Sequence, residues 1–320
     1  MKKKIFILLG FIVLIFVIRL FTFSISEDKT PDDFYKFFYE KYGIYALTTP
    51  KDLDFAGEKV PNDIDVSERL DRELLVNTYW QSQTLLLHKR ANRWFPIIEP
   101  ILKKKGVPDD FKYVALIESG LLNVTSPSAA VGYWQFLETT GKSYGLEIND
   151  EVDERYHVEK ATEAACKYFI EAKNALGNWT LAAASYNMGI SGVKKQCEKQ
   201  RVKSYYDLWL VDETFRYLFR ILAVKEVITH SEKYGYHLRK EDLYPAFQTY
   251  TITIDSSVSD LVTLAEKYTI SYKTLKLLNP WLKQGYLTNK ARKKYTILIP
   301  KAGKDNVMVE DTSKIKEINK

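Results

Sequence analysis

The chain has 320 residues, of which 46% are hydrophobic and 14% aromatic, so it is long enough for two or three domains with a buried core. Its 47 basic and 41 acidic residues give a net charge of +6, and the lysines are spread along the chain without a nucleic-acid-binding motif. We therefore predict no nucleic-acid partner, whereas an anionic polymer or a membrane surface suits so diffuse a positive field.

The first 26 residues have the pattern of an export signal. Lys2, Lys3 and Lys4 precede an unbroken apolar run over residues 5–18, which Arg19 interrupts. A basic start before a short apolar core is typical of a secretory signal peptide or an uncleaved signal-anchor. Positive charge stays inside, so we predict export to the periplasm of the cell envelope, with the cytoplasmic membrane as a partner if the segment is uncleaved. No Cys follows the run, which excludes a lipoprotein.

Residues 27–65 predict a linker with a short packing segment, and a helical pattern then runs over residues 66–105. The next helix opens at Pro108 and two aspartates, and its apolar positions recur at i, i+3, i+4 and i+7. Glu118 occupies the last of these positions, near the end of the helix. An apolar environment favours the neutral carboxyl, and a raised pKa suits a glycosidic general acid. On periodicity alone, a glutamate that turns to solvent or pairs with a lysine is an equal alternative.

Four more helices are predicted before residue 240. Their ranges are 133–140, 158–176, 179–188 and 212–233, of which glycines end the first three and Asp212 caps the last. Strand signals are nearly absent over the same stretch. We therefore predict an all-α domain at residues 66–240.

The composition changes after residue 248. Alternating β-branched runs at 250–254 and 295–299 predict two strands, and two short helical patterns lie between them. This β-α-α-β module, residues 248–301, resembles a LysM glycan-binding domain, although a small structural cap without sugar binding is the alternative. The predicted fold class is therefore mainly α. The polar tail, 302–320, lacks aromatic residues and is predicted to be disordered.

Three motifs follow one another in the helical domain. Glu118-Ser119 precedes a loop that contains Gly132-Tyr133-Trp134-Gln135, and Ala-Ser-Tyr-Asn-Met-Gly comes about fifty residues later, at 184–189. Together, and in this order, they resemble the catalytic domain of the soluble-lytic-transglycosylase, goose-lysozyme-like family over residues 66–235. Two positions depart from the family pattern: Tyr133 replaces an aliphatic residue, and Ser185 stands where alanine is usual.

The resemblance implies a lysozyme-like fold and cleavage of the MurNAc-GlcNAc β-1,4 bond in peptidoglycan glycan strands. It makes Glu118 the single general acid and base. It also implies that a hydroxyl and an amide orient Glu118 or the substrate, and that other side chains hold the sugar or line the cleft. The predicted substrate-binding residues are Ser119, Gln135, Tyr186, Asn187, Tyr217, Tyr133 and Trp134. Taken singly, each has an ordinary alternative as a core aromatic or a surface polar residue.

The number of carboxyl groups that lie in the motifs affects which reaction product is expected. Most glycosidases need two carboxyl groups, and only Glu118 lies in a motif here. The resemblance implies that the muramoyl 6-hydroxyl attacks instead of water, which leaves a 1,6-anhydro end. If Asp150, Glu151 or Asp153 reached the cleft, a muramidase would be possible, although we interpret Asp153 as the partner of Arg155 in a structural ion pair. A non-catalytic peptidoglycan-binding protein is a third hypothesis, which the presence of Glu118 disfavours.

The two cysteines, Cys166 and Cys197, lie in no CxxC motif or Cys/His cluster. We therefore predict no metal and no other cofactor. The sequence leaves open whether they form a disulfide or are two buried small side chains.

Overall fold

The computed structural model describes residues 44–301, so the predicted signal at 1–26 and the predicted tail at 302–320 lie outside the described residues. Within 44–301, the structure contains no helix long and apolar enough to cross a membrane. The described elements are β1 (Asp54–Phe55), β2 (Glu58–Lys59), α1 (Ile64–Tyr79), α2 (Gln81–Lys105), α3 (Lys112–Ser119), α4 (Glu138–Ser143), α5 (Val158–Leu176), α6 (Trp179–Met188), α7 (Ile190–Gln200), α8 (Asp212–Thr229), β3 (Thr249–Ile254), α9 (Leu261–Lys267), α10 (Tyr272–Leu278) and β4 (Tyr295–Pro300). The predicted fold class, mainly α with a small β-α-α-β module, is confirmed.

The helical stretch predicted at 66–105 is divided into α1 and α2. The side chain of Asp63 accepts a hydrogen bond from the amide of Val66 and so caps the start of α1. The chain leaves helical geometry at Trp80, and α2 then continues to Gly106, whose left-handed conformation ends it.

Helix α6 lies at the centre of the helical domain. Its residues Ala182, Ala183 and Ala184 are fully buried, and α5 and α8 pack against it. Because alanine side chains are short, neighbouring helices can approach α6 closely on more than one side. The motif at 184–189 therefore begins in the buried core, at Ala184 and Ser185.

The segment before α1 is more than a linker. Strands β1 and β2 pair as a short hairpin, and Phe55, which has no exposed surface, packs its ring 5.1 Å from that of Phe111. The carboxylate of Glu58 accepts hydrogen bonds from the amides of Trp179 and Thr180 at 2.6 and 2.9 Å. The hairpin therefore supplies the negative charge that stabilises the N-terminus of α6.

The prediction of a helix at 133–140 is wrong. The chain turns through these residues, and α4 begins only at Glu138. Gln135 adopts a left-handed conformation with φ of +50°, and Val131 forms an isolated antiparallel bridge with Phe136. Gly141 does not end the helix but lies within it, where a Cβ atom would come 2.9 Å from the side chain of Ile148.

The helix predicted at 212–233 has different ends. Asp212 is the first helical residue rather than the cap, and α8 stops at Thr229 before a short 3-10 turn over Ser231–Tyr234. Helix α8 packs against α1, α3 and α6, so it spans the core of the domain.

The C-terminal module has the predicted element order. Strands β3 and β4 are antiparallel, with Ile252 opposite Ile297, and α9 and α10 pack against one another beside them. Its hydrophobic core includes Trp281, Leu282 and also Val152, which comes from the helical domain. The two cysteines are both free thiols.

Candidate active site

Glu118 lies in the last turn of α3, on the face of the helix that packs against α8. Its side chain is half-buried, and its one hydrogen-bond partner among the described residues is Tyr217, whose hydroxyl donates to Oε1. Tyr217 is itself almost fully buried, with 1% of its surface exposed. The predicted acid and one predicted cleft residue are therefore in direct contact.

The electrostatic surroundings favour the neutral form of this carboxyl. Burial raises the pKa of Glu118 above its ordinary value, the hydrogen bond from Tyr217 and the charge of Arg220 oppose the rise, and the charge of Glu213 adds to it. Arg220 does not bond to the carboxylate but donates to the carbonyl of Ile117 at 3.4 Å. Because desolvation outweighs the opposing contacts, Glu118 can hold a proton at a pH where an exposed glutamate has lost it.

Helix α6 brings the second pair of predicted residues to the site. The hydroxyl of Tyr186 donates to the carbonyl of Trp134 at 2.7 Å, and its ring lies 5.0 Å from that of Phe169. The charge of Glu118 contributes to raising the pKa of Tyr186 well above its ordinary value, after burial, so the two side chains are neighbours. The next residue, Asn187, accepts a hydrogen bond from the hydroxyl of Thr214 at 2.6 Å, and this fixes the direction of its amide group.

The loop that follows α3, residues 120–137, will be called the catalytic loop. Ser119 donates to the carbonyl of Tyr133 at 2.7 Å, so the residue after Glu118 ties the far side of this loop to the end of α3. Gln135 donates to the carbonyls of Gly132 and Val124 at 2.8 and 3.1 Å, and so closes the loop on itself. Both polar side chains are used to shape the loop beside Glu118.

Comparisons with known proteins agree with this geometry. Residues 95–208 match the sequence model of the transglycosylase SLT domain. The chain contains an SLT domain. The match includes Glu118, Gln135 and the motif at 184–189, while Tyr217 follows it in the chain.

A second match covers residues 250–303 and is described as the soluble lytic transglycosylase C-terminal LysM-like domain. The chain is also 28% identical, over 254 residues, to membrane-bound lytic murein transglycosylase D of Escherichia coli strain K12, and the same values hold for that protein from strain O6:H1. The aligned region is 78% of this chain and 54% of the relative. The chain therefore spans about half the length of the curated relatives it matches.

The structure corrects the prediction that Trp134 contacts substrate. Its side chain has no exposed surface, and its indole donates to the hydroxyl of Thr162 at 2.9 Å inside the SLT domain. Tyr133 is also buried, with 4% exposed, and its ring packs 4.8 Å from that of Trp94. Both aromatic side chains fill the core beneath the catalytic loop and so support the loop.

Two of the three acids considered as a second catalytic carboxylate have carboxylates that are engaged elsewhere. Asp153 pairs with Arg155 through bonds of 2.9 and 2.7 Å, which confirms the predicted ion pair. Glu151 accepts from the amide of Thr288 in the LysM-like module. The backbone carbonyl of Asp150 likewise accepts from Gln284. This segment of the SLT domain therefore faces the module.

Sequence reasoning assigned no role to three residues at the site. Glu213 and Arg220 change the pKa of Glu118, and Thr214 orients Asn187. The letters of the segment 213–217 carry no sign of which residues face the acid. Glu213, Thr214 and Arg220 lie three or four positions from Tyr217 along α8. This spacing places them on the same face of the helix as Tyr217.

Proposed function

We propose that the protein is a lytic transglycosylase that cleaves the MurNAc-GlcNAc β-1,4 bond of peptidoglycan, with Glu118 as its single acid and base. We place the catalytic domain at residues 66–240. The observation that carries the proposal is the half-buried carboxyl of Glu118, whose pKa is raised and which accepts a hydrogen bond from the phenol of Tyr217. The SLT match and the name of the murein transglycosylase relatives support the substrate class.

The proposed reaction uses one carboxyl group twice, first as an acid and then as a base. Protonated Glu118 donates its proton to the glycosidic oxygen as the bond from that oxygen to C1 of the muramoyl sugar breaks. The muramoyl 6-hydroxyl then attacks C1, and its proton passes to the Glu118 carboxylate, which restores the acid. No water is consumed, and tethering the nucleophile to the reacting ring gives it a high effective concentration.

Neighbouring side chains assist this cycle. The hydroxyl of Tyr217 donates to Glu118 and favours the ionised form that must exist between the two proton transfers. Asn187 is held by Thr214, so its amide nitrogen remains available to an acyl oxygen of the substrate. Tyr186 fixes the backbone at Trp134, and we propose that its ring edge borders the bound sugar.

The product distinguishes this reaction from hydrolysis. Purified protein should release muropeptides with 1,6-anhydromuramoyl ends from sacculi, and digestion in heavy-oxygen water should leave the new ends unlabelled in mass spectra. Heavy oxygen at new reducing ends would show that water is the nucleophile and would overturn the transglycosylase proposal.

A muramidase is the second candidate, and one observation favours it. Glu213 is an exposed carboxylate close enough to raise the pKa of Glu118, so it is the acid best placed to activate a water. If label were incorporated, Glu213→Gln should abolish the labelled product. Glu151 and Asp153 no longer serve as candidates, because their carboxylates contact the module and Arg155, whereas Asp150 contacts the module only through its backbone carbonyl.

We also propose that the SLT domain works in the cell envelope, outside the cytoplasmic membrane. The basic and apolar pattern of residues 1–26 supports export, and the relatives are named membrane-bound. A reporter enzyme that is active only in the cytoplasm, fused after Lys240, should remain silent. An active reporter would show that the N-terminal segment does not export the chain.

A further inference from the structure

We propose that the LysM-like module acts as a positioning element, which holds the catalytic loop in place through residues 147–157 of the SLT domain. The inference rests on the proposed function, since it assigns the module a part in the reaction at Glu118. It rests on five sets of contacts, which run from the module to the loop.

The first contact is a shared hydrophobic core. Val152 is 1% exposed and packs in the core of the module, although it belongs to the SLT domain in sequence. It forms an isolated antiparallel bridge with Leu282, and the amide of Asp153 donates to the carbonyl of Trp281 at 2.9 Å. The apolar side chain is buried in the core of the module, and the backbone beside it pairs with the module. Together these contacts fix the position and the orientation of the module on the SLT domain.

Polar contacts extend this interface along the residues that precede Val152. The carboxylate of Glu147 pairs with Lys293 and accepts from the hydroxyl of Tyr295 at 3.0 Å. The backbone carbonyl of Glu151 accepts from the amide of Lys283 at 2.8 Å. The segment is thus bonded to the module at Glu147, at Glu151 and, through the amide of Asp153, just after Val152.

The linker between the domains adds a second, separate attachment. Its residues lie along α2, where Asn92 donates to the carbonyl of Tyr244 at 3.0 Å and Arg93 to that of Pro245 at 2.9 Å. The guanidinium of Arg93 also lies 4.4 Å from the ring centre of Phe247. Two attachments that are far apart in sequence prevent the module from rotating on the SLT domain.

The docked segment continues directly into the support of the catalytic loop. Arg155, held by Asp153, donates to the carbonyl of Phe136 at 3.2 Å. The backbone carbonyl of Arg155 lies so close to Gly132 that a Cβ atom there would come within 2.0 Å of it. Only glycine fits at this position, which also has φ of +79°.

A further path reaches the loop from the linker side. Phe247 packs 5.8 Å from Trp94, whose ring lies 4.8 Å from that of Tyr133. The carbonyl of Tyr133 is the acceptor for Ser119, the residue next to Glu118. Displacing the module therefore removes support from both sides of the loop at once. Misplacement of a catalytic group by about 1 Å can cost about 100-fold in rate, so modest loosening is enough to matter.

The decisive variant is Val152→Asp in the full chain, which places a charge in the module's core and leaves the core of the SLT domain untouched. On a short soluble glycan that cannot span both domains, we expect kcat to fall about ten-fold or more with KM nearly unchanged. Asp150→Asn in the same segment is the matched control, because only its backbone contacts the module. Unchanged kcat in Val152→Asp would overturn the proposal, as would a defect confined to the KM for intact sacculi, which indicates a glycan tether.

A charge exchange provides a second variant in case Val152→Asp does not fold. Glu147→Lys and Lys293→Glu should each lower kcat, and the double variant should restore it, because the pair is re-formed with its charges reversed. Loss of folding in one domain alone would not be rescued in this way. Single variants with wild-type kcat would contradict the positioning role.

Hydrogen exchange separates this inference from the proposed function, since it needs no activity. The amides of Val131, Gly132 and Gln135 are hydrogen-bonded within the loop and should exchange slowly in the wild type. They should exchange faster in Val152→Asp, whereas amides in α6 should not change. Equal protection in both proteins would overturn the proposal even if the enzyme proves to be a transglycosylase. An inactive wild type would overturn the function alone.

Discussion

Two carboxylates of the SLT domain, Glu118 and Asp153, are both withdrawn from water but have different partners. Asp153 is 5% exposed and meets the guanidinium of Arg155 through two hydrogen bonds. Glu118 meets a neutral phenol, that of Tyr217. The pair of Asp153 with Arg155 serves the structure, whereas burial raises the pKa of Glu118, and we propose that this carboxyl gives its proton to a substrate. The two acids therefore differ in the charge of their hydrogen-bond partner, which is a guanidinium for Asp153 and a neutral phenol for Glu118.

The largest expected effect follows from removing the reactive proton. Glu118→Gln keeps the shape of the side chain, and general acid catalysis commonly supplies about 10²–10⁴-fold, so turnover of sacculi should fall by that factor. Glu68→Gln, on the exposed face of α1, is the matched control and should retain activity. A folded Glu118→Gln protein with wild-type turnover would remove Glu118 from the mechanism.

The same variant should be more stable than the wild type at high pH. A raised pKa in the folded state means that the fold is favoured below the unfolded pKa and loses this contribution as the pH rises through the folded pKa. The glutamine variant carries no charge to bury, so its melting temperature should exceed that of the wild type at pH 8. The two melting temperatures should converge near pH 4, where the wild-type carboxyl is protonated in both states. If the wild type were more stable than Glu118→Gln at pH 8, the raised pKa of Glu118 in the folded state would be contradicted.

Breaking the structural pair tests the other side of the comparison. Asp153→Asn leaves the Arg155 guanidinium buried without its counter-charge, which should lower the free energy of unfolding by about 3–5 kcal/mol. Urea unfolding followed by circular dichroism measures the change, with Asp150→Asn as the exposed control. A loss below about 1 kcal/mol would mean that the pair resembles a surface salt bridge in energy.

Removing the phenol of Tyr217 should move the titration of Glu118. Its hydrogen bond lowers the pKa of the carboxyl, so Tyr217→Phe should raise that pKa further. Since the protonated acid starts the reaction, the alkaline limb of the kcat/KM profile should shift to higher pH. Tyr113→Phe, whose hydroxyl contacts Thr229 instead, should leave the limb in place. A shift to lower pH would show that another group controls the limb.

The smallest expected effect has the opposite sign. The charge of Glu213 raises the pKa of Glu118, so Glu213→Gln should move the alkaline limb slightly to lower pH. Because Glu213 is exposed, the shift between the two proteins should shrink as salt is added. If Glu213→Gln moved the alkaline limb to higher pH, as expected for Tyr217→Phe, then the opposite effects assigned to Glu213 and Tyr217 on the pKa of Glu118 would be contradicted.

The amino-acid sequence by itself determined most of the local structure. Apolar spacing at 3.6 residues per turn placed Glu118 on the buried side of α3, and alternation placed both strands of the module. The prediction failed at 133–140, because the apolar and aromatic letters there are typical of a helix. The left-handed conformation of Gln135 and the close approach of Arg155 to Gly132 impose a turn instead.

Only the tertiary structure decided what surrounds the acid. Tyr217 reaches Glu118 across 99 positions of the chain, and Val152 enters the core of a module that begins about 100 residues later. The periodicity of apolar residues shows which face of a helix or strand is apolar. It does not show which other element of the fold packs against that face. Contacts between distant segments depend on how helices of given length and side-chain size pack together. For this reason Glu118 could be predicted as the acid from the sequence. The charges around Glu118 and the contacts that support the catalytic loop could not be predicted in this way.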